Sequence, residues 1–421
     1  MAARLIRYME NMKDPAEVIS FFESEMVEEE LIANKLDILT SGPKRSMKRL
    51  LYWWSVQMLY FVFFIRAGLL FLLPILDPGN TVIPLVLGDG IAVLGMAVRQ
   101  MWHSLALNYS ILFATIRFTV WWAERNGKLH FMTNFTPEWG SKPEQQRIRF
   151  ELNLCYIGYK YFNNVIYATI ASNMGVYLFL DTMVRRSVTH FWFNLFWIVY
   201  NCFWISFGPT VVIQLFVFMR LATIDASHRL HRVHADGQQV LRLGLQDRAP
   251  HELRKKMAKL VSGFEAVRSE VAGNNECMKF FFMLFRCLFI PIAACNCYVL
   301  FTGTFPNLFS RIIVLTLSLN QLAMIYCFMA LAAIPHKKSL PVANVTFSIL
   351  VRMRDRLSVQ QKITLLNIIK KITSTNDPLG YTCGNTFPFE GRSMMDFVLE
   401  IGSAAILSMQ MITKISGGGA Q

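Results

Sequence analysis

Several runs of this chain are apolar for about the twenty residues that an α-helix needs to cross a ~30 Å hydrocarbon layer. We read spans at about 50–76, 82–101, 152–180, 189–218, 279–303, 308–333 and 393–415. The first contains LLYWWSVQMLYFVFFIRAGLLFLLPIL and the fifth KFFFMLFRCLFIPIAACNCYVLF. Only 17% of residues are charged, against about 25% in soluble domains. These features predict an all-α, polytopic membrane protein with seven transmembrane helices. The first run begins near Leu50, after a polar stretch, so no cleaved signal peptide is expected.

The connections alternate between short (LDPGN, DTMVRRSVTH, TGTFPN) and long and charged. Residues 1–50 hold eight Lys and Arg, 124–149 five, 220–277 ten and 334–392 nine, together 32 of 42. Seven spans put all four segments on one side, and the opposite loops hold only Arg185 and Arg186. By the positive-inside rule the charged side, and with it the N-terminus, is cytoplasmic. The formal net charge of +14 is thus explained by loops facing the cytoplasm, and nucleic acid is not implied.

An extra span at 102–123 would turn 19 of those basic residues outwards. Arg99, His103 and Arg117 also argue against a lipid-facing segment, so 102–149 is read as a cytoplasmic extension of the second span. Residues 220–277 read as helical extensions of spans four and five, with turn signals at Asp236-Gly237 and Ala249-Pro250. In the region 334–392, the apolar spacing of Val345, Ile349 and Met353, and of Leu365, Ile368, Ile369 and Ile372, predicts amphipathic helices that pack together. The expected organisation is a cytoplasmic segment 1–49, spans one to six within 50–333, an anchor region 334–392, a seventh helix at 393–415 and an extracellular tail 416–421.

None of the eight cysteines falls in an external loop, so no extracellular disulfide framework is expected. Cys295 and Cys297 read as packing residues, and His228, His231 and His234 as a solvated basic face rather than metal ligands. The N-x-[ST] sequons at Asn108, Asn134 and Asn344 fall on helices or the cytoplasmic side and should carry no glycan. There is no phosphate loop, HExxH, GxSxG or kinase set, so neither an enzyme nor a cofactor is indicated.

The seventh span carries Asp396, Glu400, Ser403, Gln410 and Lys414 in one stripe interrupted by Leu407. Ionisable groups at membrane depth usually face a bundle interior or water. If this helix lines a symmetric pore, Asp396 and Glu400 form carboxylate rings at the inner mouth that concentrate cations. The alternative is pairing with basic residues of the cytoplasmic helices.

The tail from Leu379, LGYTCGNTFPFEGRSMMDFVLEIGSAAILSMQM, resembles the C-terminal signature of the insect chemoreceptor superfamily, particularly the gustatory receptors. Aligned on Gln410, Ser403 takes the place of the family's Thr, while Ala404 and Met411 stand where the family has Tyr and Phe. The resemblance implies a ligand-gated, non-selective cation channel in the plasma membrane, assembled as a homo- or hetero-tetramer of related subunits. It implies a pore lined by the seventh helix, with Leu407 and Gln410 near the constriction, and a small-molecule tastant bound among spans two to six. Those spans offer Asp89, Asn173, Tyr177, Tyr200, Trp204, Tyr298 and Gln321. A G-protein-coupled receptor has the opposite topology and a DRY-like motif absent here; a secondary transporter favours inverted repeats, which this chain lacks.

Overall fold

The computed structural model describes residues 14–28, 47–77, 79–89, 96–126, 146, 148–161, 164, 168, 188–245, 250–302, 308–374, 379–383, 387–388, 399 and 403. Among the described residues the named helices are α1 (Pro15–Glu28), α2 (Met47–Leu76), α3 (Val82–Val86), α4 (Met96–Arg125), α5 (Val188–Leu245), α6 (Pro250–Thr302), α7 (Leu308–Arg352) and α8 (Val359–Thr373). Residues 148–161 are also helical. The one sheet among the described residues is a pair of two-residue strands, β1 (Thr382–Cys383) and β2 (Phe387–Pro388), antiparallel with Cys383 opposite Phe387. The fold is all-α. Segments of α2, α5 and α7 are long and apolar enough to cross a membrane.

On α2 the buried residues Trp53, Val56, Tyr60, Phe63, Ala67 and Leu70 follow alternating steps of three and four. That step keeps one seam of a helix against a neighbour. The neighbour is α4, antiparallel along its whole length: Trp53 meets Trp121, Tyr60 meets Phe113, and Gly68 faces Leu107. Two expectations are corrected here. Residues 82–101 do not form one helix, and 102–123 is the body of a helix lying against the apolar run of α2. The basic residues that argued against this segment are turned inward: Arg117 and His103 are buried, and Arg99 is paired.

α5 has 58 residues, roughly 87 Å at 1.5 Å per residue, and α6 and α7 have 53 and 45. All three therefore outrun a ~30 Å layer. α6 runs antiparallel to α5, with Lys259 on Asp236 and Arg229 on Glu270. α7 runs parallel to α5. The expected turn at Asp236-Gly237 does not form, because α5 is helical to Leu245. Gly237 serves close approach instead: a Cβ there would lie 2.8 Å from a Val345 methyl carbon.

Two apolar cores divide the bundle. One joins α2, α4 and the first part of α5 to the later part of α6 and the first part of α7. The other joins the remainder of α5, α6 and α7 to α8, with Val240, Leu260, Ile349, Leu365 and Ile372 fully buried or nearly so. α8 starts at a capping box, in which Ser358 Oγ accepts from Gln361 N–H and Gln361 Oε1 accepts from Ser358 N–H. α1 docks through Phe21 and Phe22 onto Tyr156 and Tyr159 of the 148–161 helix.

Candidate functional site

Three of the expected ligand residues meet at one end of the first core, gathered by α2. Asp89 follows α3 and a turn at Gly88, whose φ of 65° is left-handed. Any other residue there would be strained and would press on Trp197, 2.7 Å from an added Cβ. Asp89 is buried between Arg99, with which it forms an ion pair, and His103 Nε2 at 3.1 Å. Arg66 donates to the carbonyls of Leu87 at 2.8 Å and Gly88 at 3.0 Å. Its guanidinium lies 4.7 Å from the Trp197 ring centroid, a cation–π contact. A loop thus bolted to α2, α4 and α5 presents a charge that its own neighbours neutralise.

Tyr200 and Trp204 stand one turn apart on α5 and both stack on Phe63. Their polar ends are engaged: Tyr200 Oη donates to Leu59 O at 2.8 Å, and Trp204 Nε1 donates to Ser110 Oγ at 3.0 Å. What they offer a ligand is ring surface. Aromatic contacts continue from Trp204 through Phe113 and Tyr109 to Phe289 on α6. There Gln321 donates to Phe289 O at 3.4 Å, and its Oε1 accepts from Asn296 Nδ2 at 2.7 Å. Gln321 therefore lies across the aromatic chain from Asp89, and the backbone of Tyr298 lies two residues past Asn296 on α6. Asn173 and Tyr177 lie outside the described residues.

Sequence reasoning missed Arg66, Phe63, Ser110 and Asn296. Arg66 had a visible signal, as a lone charge inside the apolar run FVFFIRAGLLFLL. Asn296, between the two cysteines that drew notice, had none.

Where the two cores meet, Arg229 bridges two carboxylates: Asp225 one turn away at 3.0 Å and Glu270 on α6 at 2.8 Å. Burial, with Glu270 nearby, pushes the Asp225 carboxyl up to about 8 despite the opposing pull of Arg229. His228 is buried, departing from the solvated face expected of it, and the His231 and His234 rings are 6.5 Å apart. Among the described residues no group of three His, Cys, Asp or Glu side chains could hold a metal ion.

Residues Tyr381, Thr382 and Cys383 are clamped to α6. Asn275 Oδ1 accepts from Thr382 N–H at 2.8 Å, and Asn275 Nδ2 donates to Thr382 Oγ1 at 3.0 Å. Beside it Tyr381 packs on the Phe282 ring, and Cys383 Sγ reaches Phe282 O at 3.7 Å. Of the expected pore residues, Ser403 is helical and exposed. Asp396, Glu400, Leu407 and Gln410 lie outside the described residues.

No family model matches this chain, and no curated protein matches it. Solved structures do. The insect olfactory receptor OR5 from Machilis hrabei, in complex with eugenol, superposes with a TM-score of 0.64 at 12% identity, over 94% of this chain and 98% of the receptor. A second structure of the same receptor gives 0.62 over the same extents. This chain has the insect chemoreceptor fold. The resemblance found in the tail from Leu379 thus extends to the whole architecture. At 12% identity the likeness is one of helix arrangement. Within that fold, the aromatic chain from Tyr200 to Phe289 and the clamp at Asn275 are features of these particular residues.

Proposed function

We propose that this protein is a chemosensory receptor of the gustatory type, acting in the plasma membrane as a ligand-gated, non-selective cation channel. The observation that carries this reading is the fold likeness to an insect olfactory receptor over 94% of the chain, joined to the polar stripe of the last span. A small tastant binds within the first core, among aromatic rings with few polar groups. Asp396 and Glu400 ring the inner mouth of the pore, and Leu407 and Gln410 form its constriction. The clamp of Asn275 on Thr382 joins α6 to the approach of the pore helix, so a shift of α6 on ligand binding reaches the gate.

The topology is seven crossings with the N-terminus in the cytoplasm. The second crossing uses α4 (Met96–Arg125), and the short α3 helix lies at the outer surface. One crossing is exchanged for another between residues 77 and 126, so the side of every later loop is unchanged. The second core then stands in the cytoplasm. It leaves Leu340, Phe347 and Val351 exposed on one face of α7, and Val359, Ile363 and Leu366 on one face of α8. Those apolar faces in water are where related subunits meet to form a tetramer.

The test is to express the chain alone and with related receptors in oocytes and to apply sugars, bitter compounds and amino acids. Ligand-evoked cation current supports the reading, and neutralising Asp396 and Glu400 together lowers its conductance. Unchanged conductance and selectivity in that double variant removes the carboxylate rings. Saturable uptake without current favours a transporter.

A further inference from the structure

Buried side-chain amides and hydroxyls in native proteins are nearly always hydrogen-bonded, because an orphaned one costs free energy that nothing returns. Among membrane-embedded helices, Asn and Ser normally bond across to a neighbouring helix. Asn108 on α4 breaks this rule completely. It is fully buried, and neither its Nδ2 nor its Oδ1 has a hydrogen-bond partner. On α7, Ser318 Oγ is likewise buried and without a hydrogen-bond partner.

The two groups fall in the same layer of the bundle. Above them, Leu105 of α4 and Val314 of α7 share a small apolar cluster. Below them, the Tyr109 ring meets Phe289 at 5.6 Å, and Gln321 of α7 bonds the Phe289 carbonyl. Asn108 lies one turn past Leu105, and Ser318 lies one turn past Val314 and one before Gln321. Two unanswered polar groups therefore sit between an apolar layer and a satisfied amide pair, Asn296 and Gln321, where α4, α6 and α7 meet. On the opposite side of α4, Arg99 and His103 both meet Asp89, and Arg66 of α2 holds the neighbouring Gly88 carbonyl.

We infer that Asn108 and Ser318 hold the hydrogen-bonding end of a small, uncharged hydroxyl or carbonyl compound, whose apolar remainder rests on Tyr109 and Phe289. This rests on the receptor reading above and deepens it by naming the ligand class. An amide supplies both a donor and an acceptor, and a hydroxyl can be either, so the pair answers a ligand hydroxyl in both of its roles. Among the described residues no charged side chain lies within a turn of Asn108 on α4 or of Ser318 on α7, and an ion brought there unpaired is strongly disfavoured. Amino acids and organic anions are thereby excluded from this position.

The experiment measures thermal unfolding of the full chain in lipid nanodiscs against two matched pairs of probes: phenethyl alcohol with ethylbenzene, and hexanol with hexane. Each alcohol should stabilise the protein at about one-tenth the concentration its hydrocarbon requires, the worth of one net hydrogen bond. Asn108→Leu should abolish that preference, and should itself raise the ligand-free Tm because the orphan amide is gone. Ser318→Ala, a smaller change, should reduce the preference and guards against a variant that fails to fold. Equal potency within each pair, or no shift with either alcohol, overturns the inference. So does a fall in the ligand-free Tm of Asn108→Leu, which means that bridging water alone completes the amide. Binding is read here without current, so the two readings fail separately. A chain that prefers alcohols but conducts nothing keeps this site and loses the channel; a conducting chain without the preference does the reverse.

Discussion

The two cores of this bundle are built from the same long helices and arranged in opposite senses. In the first, charged and polar groups are turned inward: Arg66, Asp89, His103 and Arg117 are buried, while Trp54, Met58, Phe61 and Ile65 of α2 are exposed. In the second, the buried set is almost wholly aliphatic and the ion pairs lie outside it, as with Lys259 on Asp236 and Lys371 on Glu265. α5, α6 and α7 pass from one arrangement to the other without a break. On the topology proposed above, the solvent changes along the helix while the backbone does not. Lipid accepts the exposed aromatics of α2 and refuses charge; water does the reverse.

The comparison breaks most directly at Asp89. Asp89→Ala leaves the largely covered Arg99 and the buried His103 with their shared carboxylate gone. Removing one partner of a buried pair costs about 3–5 kcal/mol. The expected result is a steep loss of monodisperse protein, with a Tm well below that of the parent in detergent. A Tm within a degree or so of the parent would show that the cluster is open to water, and the inward-turned description would fail.

Next in size is a charge placed on the outward face of each region. Phe61 and Phe347 are equally exposed, at 56% and 57%. Phe61→Arg should cost about 2.5–3.5 kcal/mol on insertion scales if this face meets the middle of the bilayer, read as a fall in the fraction of chain integrated into membranes. Phe347→Arg should leave integration intact and weaken subunit association, read by native mass analysis. Identical behaviour of the two variants would erase the distinction between the regions.

The all-α membrane fold was legible because a run such as Leu50–Pro74 admits few other structures. α4 was misread for a physical reason. Mean hydropathy cannot tell a charge facing lipid from one facing a neighbouring helix, and Arg99, His103 and Arg117 face inward. Tertiary contact, not the local run, makes that segment tolerable. Asp236-Gly237 misled in a similar way, since a glycine that permits a turn equally permits the close contact with Val345. The site at Tyr200 and Trp204 was half legible. Tyr200 and Trp204 could be picked out as aromatics on a span, but what bonds their polar ends, Leu59 O and Ser110, depends on helix register across 141 and 94 residues of chain. Asn108 drew notice only as a glycan sequon, and its burial inside α4 makes that use impossible.

A third test concerns the boundary between the cores, where Asp225, Arg229 and Glu270 share one site. Folding holds the Asp225 carboxyl protonated up to about pH 8, whereas the unfolded chain ionises it in the ordinary carboxylate range. The folded state therefore binds more protons between those limits, and stability falls as pH rises through that window. The parent Tm should drop by a few degrees from about pH 5 to about pH 8, and Asp225→Asn should flatten the profile. A parent profile that rises over this range would mean that Arg229 keeps both carboxylates ionised.

The smallest effect expected is also the most diagnostic of what surrounds the second core. Asp236 and Lys259 pair at 3.0 Å, much as Asp89 and His103 do at 3.1 Å, but the Lys259 side chain is 64% exposed where those of Asp89 and His103 are at most 2%. An exposed pair gains little from its attraction, because water screens it and two flexible side chains must be held in place. Asp236→Ala should therefore cost less than about 1 kcal/mol, a change within a few degrees in Tm that shrinks further in high salt. Salt should leave the Asp89→Ala loss nearly unchanged, since the Asp89 and His103 side chains are buried. Two carboxylates at nearly the same distance from their partners then differ several-fold in worth. If Asp236→Ala instead matched Asp89→Ala, the second core would have to be covered by something as dry as lipid, and the apolar faces of α7 and α8 would be the place to look for it.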